Sequence, residues 1–287
     1  MTTIPAKVTV PSLRARKGGS SSNAADRIVA LTAYDFTMAR LLDKGGVDVV
    51  LVGDSLGMVV QGESTTLPVT LDQMVYHTRC VARGVSRALV VADLPFLSYQ
   101  VSLERAIESS GRLLKEGGAS AVKLEGGVAV AATIKRLVEL DIPVMAHVGM
   151  TPQSVHRMGG FKQQGRGHRD GDSFTPGTYE QIIEDALAVE AAGAFSVVLE
   201  GVPAELAAEI TSKLSIPTIG IAAGAVCDGE ILVSYDLLGL SCDLCPPFVK
   251  ETAGLGEQVV EAVKRYATRV KGDGSKKGYK LVAGNDE

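Results

Sequence analysis

The chain has 287 residues, 46% of them hydrophobic, with 32 glycines and a formal charge of -4, enough for one α/β barrel or two modest domains. A pI near 5.7 gives no basic footprint for nucleic acid, which favours a small-molecule partner. No run approaches the apolar length of a membrane span, and the opening MTTIPAKVTVPSLRARKGG lacks the long hydrophobic segment of a secretory signal, so no membrane partner and a cytoplasmic location are expected.

Residues 1–26 read as an irregular N-terminal arm. Eight strand candidates follow at 28–34, 49–53, 88–92, 121–124, 144–148, 195–199, 217–221 and 231–233. Several are unbroken Val/Ile/Leu/Ala runs, as parallel strands covered on both faces require. Helical patterns lie between them at 36–44, 70–84, 101–117, 128–140, 178–192 and 203–213, with a last helix at 255–270. Thr70 followed by Gln73 predicts a capping box, and Gly45-Gly46, Gly117-Gly118 and Gly193 predict helix stops. Between the seventh and eighth strands only 224–230 is available, so a tight crossover or a very short helix is expected there.

This alternation predicts an α/β fold, a single (β/α)8 TIM barrel over 27–270. The polar, glycine-rich segment 159–177 is expected to be a mouth loop, and 271–287 a flexible C-terminal tail. Four cysteines make no disulfide framework in a chain this long, and the isolated pair Cys242 and Cys245 reads as ordinary reduced thiols.

Carboxylates recur at the ends of the apolar runs: Asp54 after VDVVLVG, Asp93 after RALVVA, Glu125 after VKL and Glu200 after FSVVL. In a parallel barrel those ends converge on one mouth. Asp54, Asp93 and Glu125 are therefore candidate ligands for Mg²⁺, which takes oxygen donors, keeps waters and accepts oxygens from a chelating substrate. The competing reading for each is a helix cap. A bound divalent ion would polarise a 2-oxo acid, and Ser55, otherwise an N-cap, is placed to donate to the substrate carboxylate.

Lys123 precedes Glu125 by two residues, so both side chains leave the same side of a strand. It can stabilise an oxyanion as an ammonium, form a Schiff base, or simply pair with an acid; the nearby acids favour the charged form. Glu200 is the candidate general base for removing a proton from carbon, against a cap or salt-bridge role. His147 can donate to a bound oxygen or position the lysine, and a hydrogen-bonded core histidine is the alternative. His77, His156 and His168 are weaker candidates without zinc-ligand spacing. GIAAG at 220–224 allows either a close ligand approach or tight packing, and no GxGxxG fingerprint points to NAD or ATP.

The segments 31–70, VVADLPFLSY (90–99), VKLEGG (122–127), HVGMTPQSV (147–155), KQQGRG (162–167) and LEGVPAELA (199–207) resemble ketopantoate hydroxymethyltransferase. The similarity covers roughly 27–270 and spans several ordered motifs. The resemblance implies a barrel enzyme of the pantothenate pathway. Its substrates are 5,10-methylenetetrahydrofolate, the co-substrate, and 3-methyl-2-oxobutanoate; its products are 2-dehydropantoate and tetrahydrofolate.

On this resemblance Asp54, Asp93 and Glu125 hold the metal, and Ser55, Asp93, Lys123 and His147 contact the oxo acid. Glu200 aligns with the proposed base, with Lys123 beside it in the catalytic set, and the family's homodecamer is the expected assembly. The chain departs from the family at Ala222, where GIGAG is common, at Tyr235, where histidine is frequent, and in a longer 159–177 loop. Two rivals are a metal-dependent carbon–carbon lyase or mutase acting on another 2-oxo acid, and a non-catalytic barrel. Formation of 2-dehydropantoate separates the first, and the acids at all four strand ends argue against the second.

Overall fold

The computed structural model describes residues 6–18, 26–168, 177–241, 246–249 and 253–272. Cys242, Cys245, residues 169–176 of the expected mouth loop and the tail after 272 lie outside the described residues. The chain divides into two compact units, Met1–Ser234 and Tyr235–Glu287. The first holds a closed barrel of eight parallel strands in sequence order, β1 to β8.

The strands are β1 (Ile28–Thr32), β2 (Val49–Val52), β3 (Leu89–Asp93), β4 (Ala121–Glu125), β5 (Val144–Gly149), β6 (Ser196–Glu200), β7 (Thr218–Ile221) and β8 (Gly229–Leu232). Each matches its predicted run to within two residues at either end. In the described residues the helices are α1 (Val10–Arg14), α2 (Phe36–Gly45), α3 (Leu56–Val59), α4 (Leu71–Gly84), α5 (Leu103–Lys115), α6 (Ala131–Glu139), α7 (Val155–Met158), α8 (Tyr179–Ala191), α9 (Ala204–Lys213), α10 (Ser234–Leu238) and α11 (Leu255–Lys271). The predicted capping box starts α4: the Thr70 N–H donates to Gln73 Oε1 at 2.8 Å and the Gln73 N–H to Thr70 Oγ1 at 3.2 Å. Gly46, at φ 90°, ends α2 in the left-handed conformation. No helix intervenes between β7 and β8, which are joined by the tight crossover expected there.

The barrel interior has two levels. Ile28, Ala30, Val49, Leu51, Leu89, Val91, Ala121, Met145, Val198, Ile219, Ile221 and Ile231 form one buried cluster, mostly from alternate positions along each strand. Continuing that period by two residues toward the strand ends gives Asp93 after Val91, Lys123 and Glu125 after Ala121, His147 after Met145 and Glu200 after Val198. The same inward face is apolar below and charged at the mouth.

The arm is more ordered than its composition suggests. Helix α1 begins at a Thr9/Ser12 capping box, and Leu13 and Val8 are buried in the barrel cluster. A short apolar plug thus closes the N-terminal end of the barrel, and truncating a buried leucine such as Leu13 to alanine costs about 2–5 kcal/mol. Acidic clasps hold it: Lys17 Nζ lies 3.0 Å from Asp228 Oδ2 and Arg16 Nη1 lies 2.7 Å from Asp48 Oδ2.

In the second unit, α11 carries Val259, Val260, Val263, Tyr266 and Val270 exposed, and the Arg269 guanidinium lies 5.3 Å from the Tyr266 ring centre. Among the described residues no helix is long and apolar enough to cross a membrane.

Candidate active site

Strand register decides which charges meet. Asp93 and Lys123 are register partners on β3 and β4, and their Oδ1 and Nζ atoms lie 2.9 Å apart. Glu125 and His147 are partners on β4 and β5, with His147 Nδ1 3.6 Å from Glu125 Oε1 and 3.4 Å from Lys123 Nζ. The other imidazole nitrogen, Nε2, lies 3.2 Å from Glu200 Oε2 without the alignment of a hydrogen bond. Asp54 follows β2 after Gly53, and its backbone N–H donates to Asp93 Oδ2 at 3.1 Å. Six of the seven predicted site residues therefore form one chain of contacts.

The seventh, Ser55, lies next to this chain. It occupies the N-cap position of α3 without making a side-chain cap bond, and its Oγ is 2.8 Å from the Tyr34 hydroxyl. The close approach of β5 to β6 explains the glycine in HVGM: Gly149 is the register partner of Glu200, has φ 98°, and any Cβ there would run into the Glu200 carbonyl oxygen.

Asp54, Asp93, Lys123, Glu125 and His147 are all buried, whereas the Glu200 side chain keeps 17% exposure. Burial and then the charges of Asp93 and Glu125 push the Asp54 carboxyl well above the usual range, only partly offset by Lys123 and Gln153. Burial also raises Asp93, against the opposing pull of Lys123. Glu125 moves the other way: burial raises it, but His147, Lys123 and the Gln153 N–H together hold it below the ordinary value. Burial lowers Lys123, yet the three surrounding acids outweigh it and keep the amine an ammonium. His147 is pushed up to about 9, because Glu125 and Glu200 outweigh burial and the repulsion of Lys123.

Two adjacent buried acids, both raised chiefly by desolvation, are a natural seat for a cation. Asp93 Oδ1 is met by the Lys123 ammonium at 2.9 Å, and the donors of Asp54 and Asp93 are all oxygen, which suits hard Mg²⁺. Among the described residues, no group of three or more His, Cys, Asp and Glu side chains is gathered closely enough to hold a metal ion as it stands. Mg²⁺ is usually bound through one or two carboxylates with waters and substrate oxygens completing its shell, so the crowded Asp54–Asp93 pair fits it. Glu125 is already engaged by Gln153 and His147.

Two site residues escaped sequence reasoning. Gln153, in a 3-10 turn after β5, donates from Nε2 to Asp54 Oδ2 at 2.8 Å and to the Leu94 carbonyl at 2.9 Å, while its backbone N–H donates to Glu125 Oε2 at 2.9 Å. The Tyr99 hydroxyl donates toward Gln153 Oε1 at 2.9 Å and lies 3.0 Å from the Glu125 carbonyl. Together they fix the spacing of two acids from behind. Both lie inside motifs that carried the resemblance, DLPFLSY and TPQSV, but neither residue type signals such a role without the fold.

A parallel barrel with a buried, partly uncompensated cluster of acids, lysine and histidine at the C-terminal ends of its strands is an enzyme architecture. The family model described as ketopantoate hydroxymethyltransferase matches residues 7–274, so the chain belongs to that family and is an enzyme of the hydroxymethyltransferase class. The 3-methyl-2-oxobutanoate hydroxymethyltransferase of Pelobacter propionicus is 52% identical over 265 residues, covering 92% of this chain and 93% of the relative. That of Trichodesmium erythraeum is 56% identical over 245 residues, 85% and 90% of the two chains.

Among solved structures, 2,3-dimethylmalate lyase superposes with a TM-score of 0.59 at 19% identity, covering 96% of this chain and 93% of that one. Phosphoenolpyruvate phosphomutase from Streptomyces platensis subsp. rosaceus gives 0.59 at 14% identity, covering 91% and 87%. At such identities the likeness is one of fold. The lyase or mutase rival therefore has the same barrel but not the family.

Proposed function

We propose that this chain transfers a hydroxymethyl unit from 5,10-methylenetetrahydrofolate to 3-methyl-2-oxobutanoate, giving 2-dehydropantoate and tetrahydrofolate. The observation that carries this reading is the contact chain from Asp54 through Asp93, Lys123, Glu125 and His147 to Glu200, in a chain sharing half its residues with relatives of that name. Asp54 and Asp93 would hold Mg²⁺, with Glu125 as the third acid of the set. When bound, the ion supplies Lewis acidity to the ketone and carboxylate of the oxo acid.

Ser55 donates to the substrate carboxylate and the Lys123 ammonium faces the ketone oxygen. Glu200 takes the C3 proton, and the C–H electron pair becomes that of the enolate, whose oxyanion Lys123 stabilises. His147, positively charged between Glu125 and Glu200, holds the base in place. The nucleophilic C3 forms the new carbon–carbon bond to the methylene carbon as that carbon's bond to one folate nitrogen breaks. Water then supplies the hydroxyl oxygen as the bond to the second nitrogen breaks, and the two nitrogens take up the C3 proton and one proton of the water to give tetrahydrofolate.

Membership of the family further supports a cytoplasmic homo-oligomer, a decamer by resemblance, which light scattering of the purified protein measures directly.

The test is to supply both substrates and Mg²⁺ and look for 2-dehydropantoate. Chelation abolishes it and Mg²⁺ restores it. Borohydride added with the oxo acid leaves no adduct on Lys123; a substrate-dependent adduct there replaces the oxyanion role with a Schiff base. Absence of product with every divalent ion tried sinks the reading.

A further inference from the structure

A polar cavity of about 610 Å³ opens beside the end of β6 and outside the acid cluster. Its lining includes Gln163, Arg166, His168, Tyr179, Pro203 and Glu205. Only Gly201 and Val202 separate Pro203 from Glu200, and the Gln164 N–H donates to the Gly201 carbonyl at 2.9 Å, which ties the loop to the strand end that carries the base. Two more backbone bonds brace that loop: the Gly165 N–H to the Gly177 carbonyl and the Tyr179 N–H to the Gly167 carbonyl, both at 2.8 Å.

The lining has a specific chemistry. The rings of His168 and Tyr179 lie 5.2 Å apart between centres, tilted by 33°. Each is anchored by a carboxylate, His168 Nδ1 to Glu180 Oε1 at 2.8 Å and the Tyr179 hydroxyl to Glu209 Oε2 at 2.7 Å. Arg166 Nε donates to Gln163 Oε1, and among the described residues its guanidinium pairs with no carboxylate. The Glu205 charge acts on the neighbouring Tyr179 phenol, which it helps to keep protonated. The volume lies in the range of about 300–1,000 Å³ usual for small-molecule sites and far exceeds what a short oxo acid fills.

We propose that this cavity docks the folate co-substrate, an inference that rests on the function proposed above. Glu205 accepts from the amino and ring N–H edge of the pterin, as a carboxylate matches two parallel donors. The aromatic part of the ligand packs on the His168 and Tyr179 rings, and Arg166 pairs with the glutamate carboxylates. The methylene carbon is thereby delivered along the Gly201–Pro203 segment toward the side of the acid cluster where Glu200 is exposed. Neither Arg166 nor Glu205 touches the metal or oxo-acid residues.

Calorimetry with tetrahydrofolate, which carries no one-carbon unit, reads docking without turnover. Arg166→Ala and Glu205→Gln each weaken its binding by about tenfold or more, while Mg²⁺-dependent binding of 3-methyl-2-oxobutanoate stays within about twofold. Both residues are exposed at a loop and a helix start, so the melting temperature is unchanged. With fragments, Glu205→Gln weakens 6-methyltetrahydropterin and Arg166→Ala weakens p-aminobenzoylglutamate; the crossed pattern overturns the orientation. Wild-type affinity for tetrahydrofolate in both variants overturns the cavity's assignment while leaving the reaction intact. A wild-type chain that neither binds tetrahydrofolate nor forms 2-dehydropantoate overturns the reaction itself, and the docking site with it.

Discussion

Both ends of this barrel bury carboxylates, and they do so in opposite ways. At the N-terminal end, Asp228 is fully buried and accepts from the Gly18 N–H at 2.8 Å, the Thr218 N–H at 2.8 Å and the Lys17 ammonium at 3.0 Å. Asp43 accepts from the backbone N–H groups of Ser86, Arg87 and Ala88 and from the Ser86 hydroxyl. At the mouth, Asp54, Asp93 and Glu125 share one lysine and one histidine, and Asp54 and Asp93 are pushed toward the neutral form. Asp43 is held below its ordinary pKa, because those N–H groups outweigh the burial that raises it. Burial of an acid is therefore not the mark of a site. The mark is burial without full compensation, which leaves charge to be met by a cation or a substrate.

The sharpest way to probe this contrast is Glu200→Gln, which keeps size and polarity but removes basicity. Turnover falls by about 10²–10⁴-fold and C3 proton exchange of the oxo acid in deuterated water, followed by NMR, is suppressed, with the melting temperature unchanged. Wild-type exchange in this variant removes Glu200 from the base role.

Asp228→Ala does the reverse: it removes the carboxylate shared by Lys17 and the Gly18 and Thr218 N–H groups, leaving Lys17 the Thr211 carbonyl. Denaturant unfolding should show a loss of about 2–4 kcal/mol, while the folded enzyme keeps its kcat.

Asp43→Asn places an amide against N–H donors and costs about 1–3 kcal/mol at pH 7. Since the native pKa of Asp43 lies below its unfolded value of about 4, this stabilisation is complete above pH 4 and is lost as pH falls through the native pKa. The stability gap between variant and wild type should close over that acid range; a gap constant with pH contradicts the ionised role.

Asp54→Asn should act with the opposite sign. It relieves repulsion from Asp93 and Glu125 while an amide oxygen still accepts from Gln153, so the metal-free protein melts higher by roughly 2–4 °C. Mg²⁺-dependent turnover drops at least about tenfold. A lower melting point would place the mouth acids in the same class as Asp43.

The smallest effect is expected at Ala222, which follows β7 with φ 50°, a left-handed conformation. Because the left-handed region favours glycine, relief of that strain in Ala222→Gly, less the added freedom of the unfolded chain, should stabilise by about 0.5–1 kcal/mol. Calorimetric melting checks it.

Much of this was legible in the sequence. Short runs rich in Val, Ile, Leu and Ala marked all eight strands because parallel strands covered on both faces are mostly apolar, and the acids stood out at their ends against that background. The capping box at Thr70 and the absent helix between β7 and β8 were visible because caps and chain length are local properties. Helix α1 was not: MTTIPAKVTVPSLRARK has too few apolar residues to announce a helix, and Leu13 becomes core only because the barrel end presents a place for it. Gln153 and Tyr99 were equally silent, since an amide or a phenol gains meaning only from the acids it touches.

The strand order, the barrel and the identities of the six titratable residues at the mouth were readable from the chain alone, because period and residue type are carried locally. Only the tertiary structure decided which acids are satisfied and which are not. Asp43 and Asp54 lie eleven positions apart by their numbering, yet one meets a row of N–H groups and the other meets two more carboxylates. That difference is made by register and closure, which bring β2, β3 and β4 together at one rim and the arm to the other. Compensation of charge depends on distances between segments remote in sequence, and no local pattern encodes those distances.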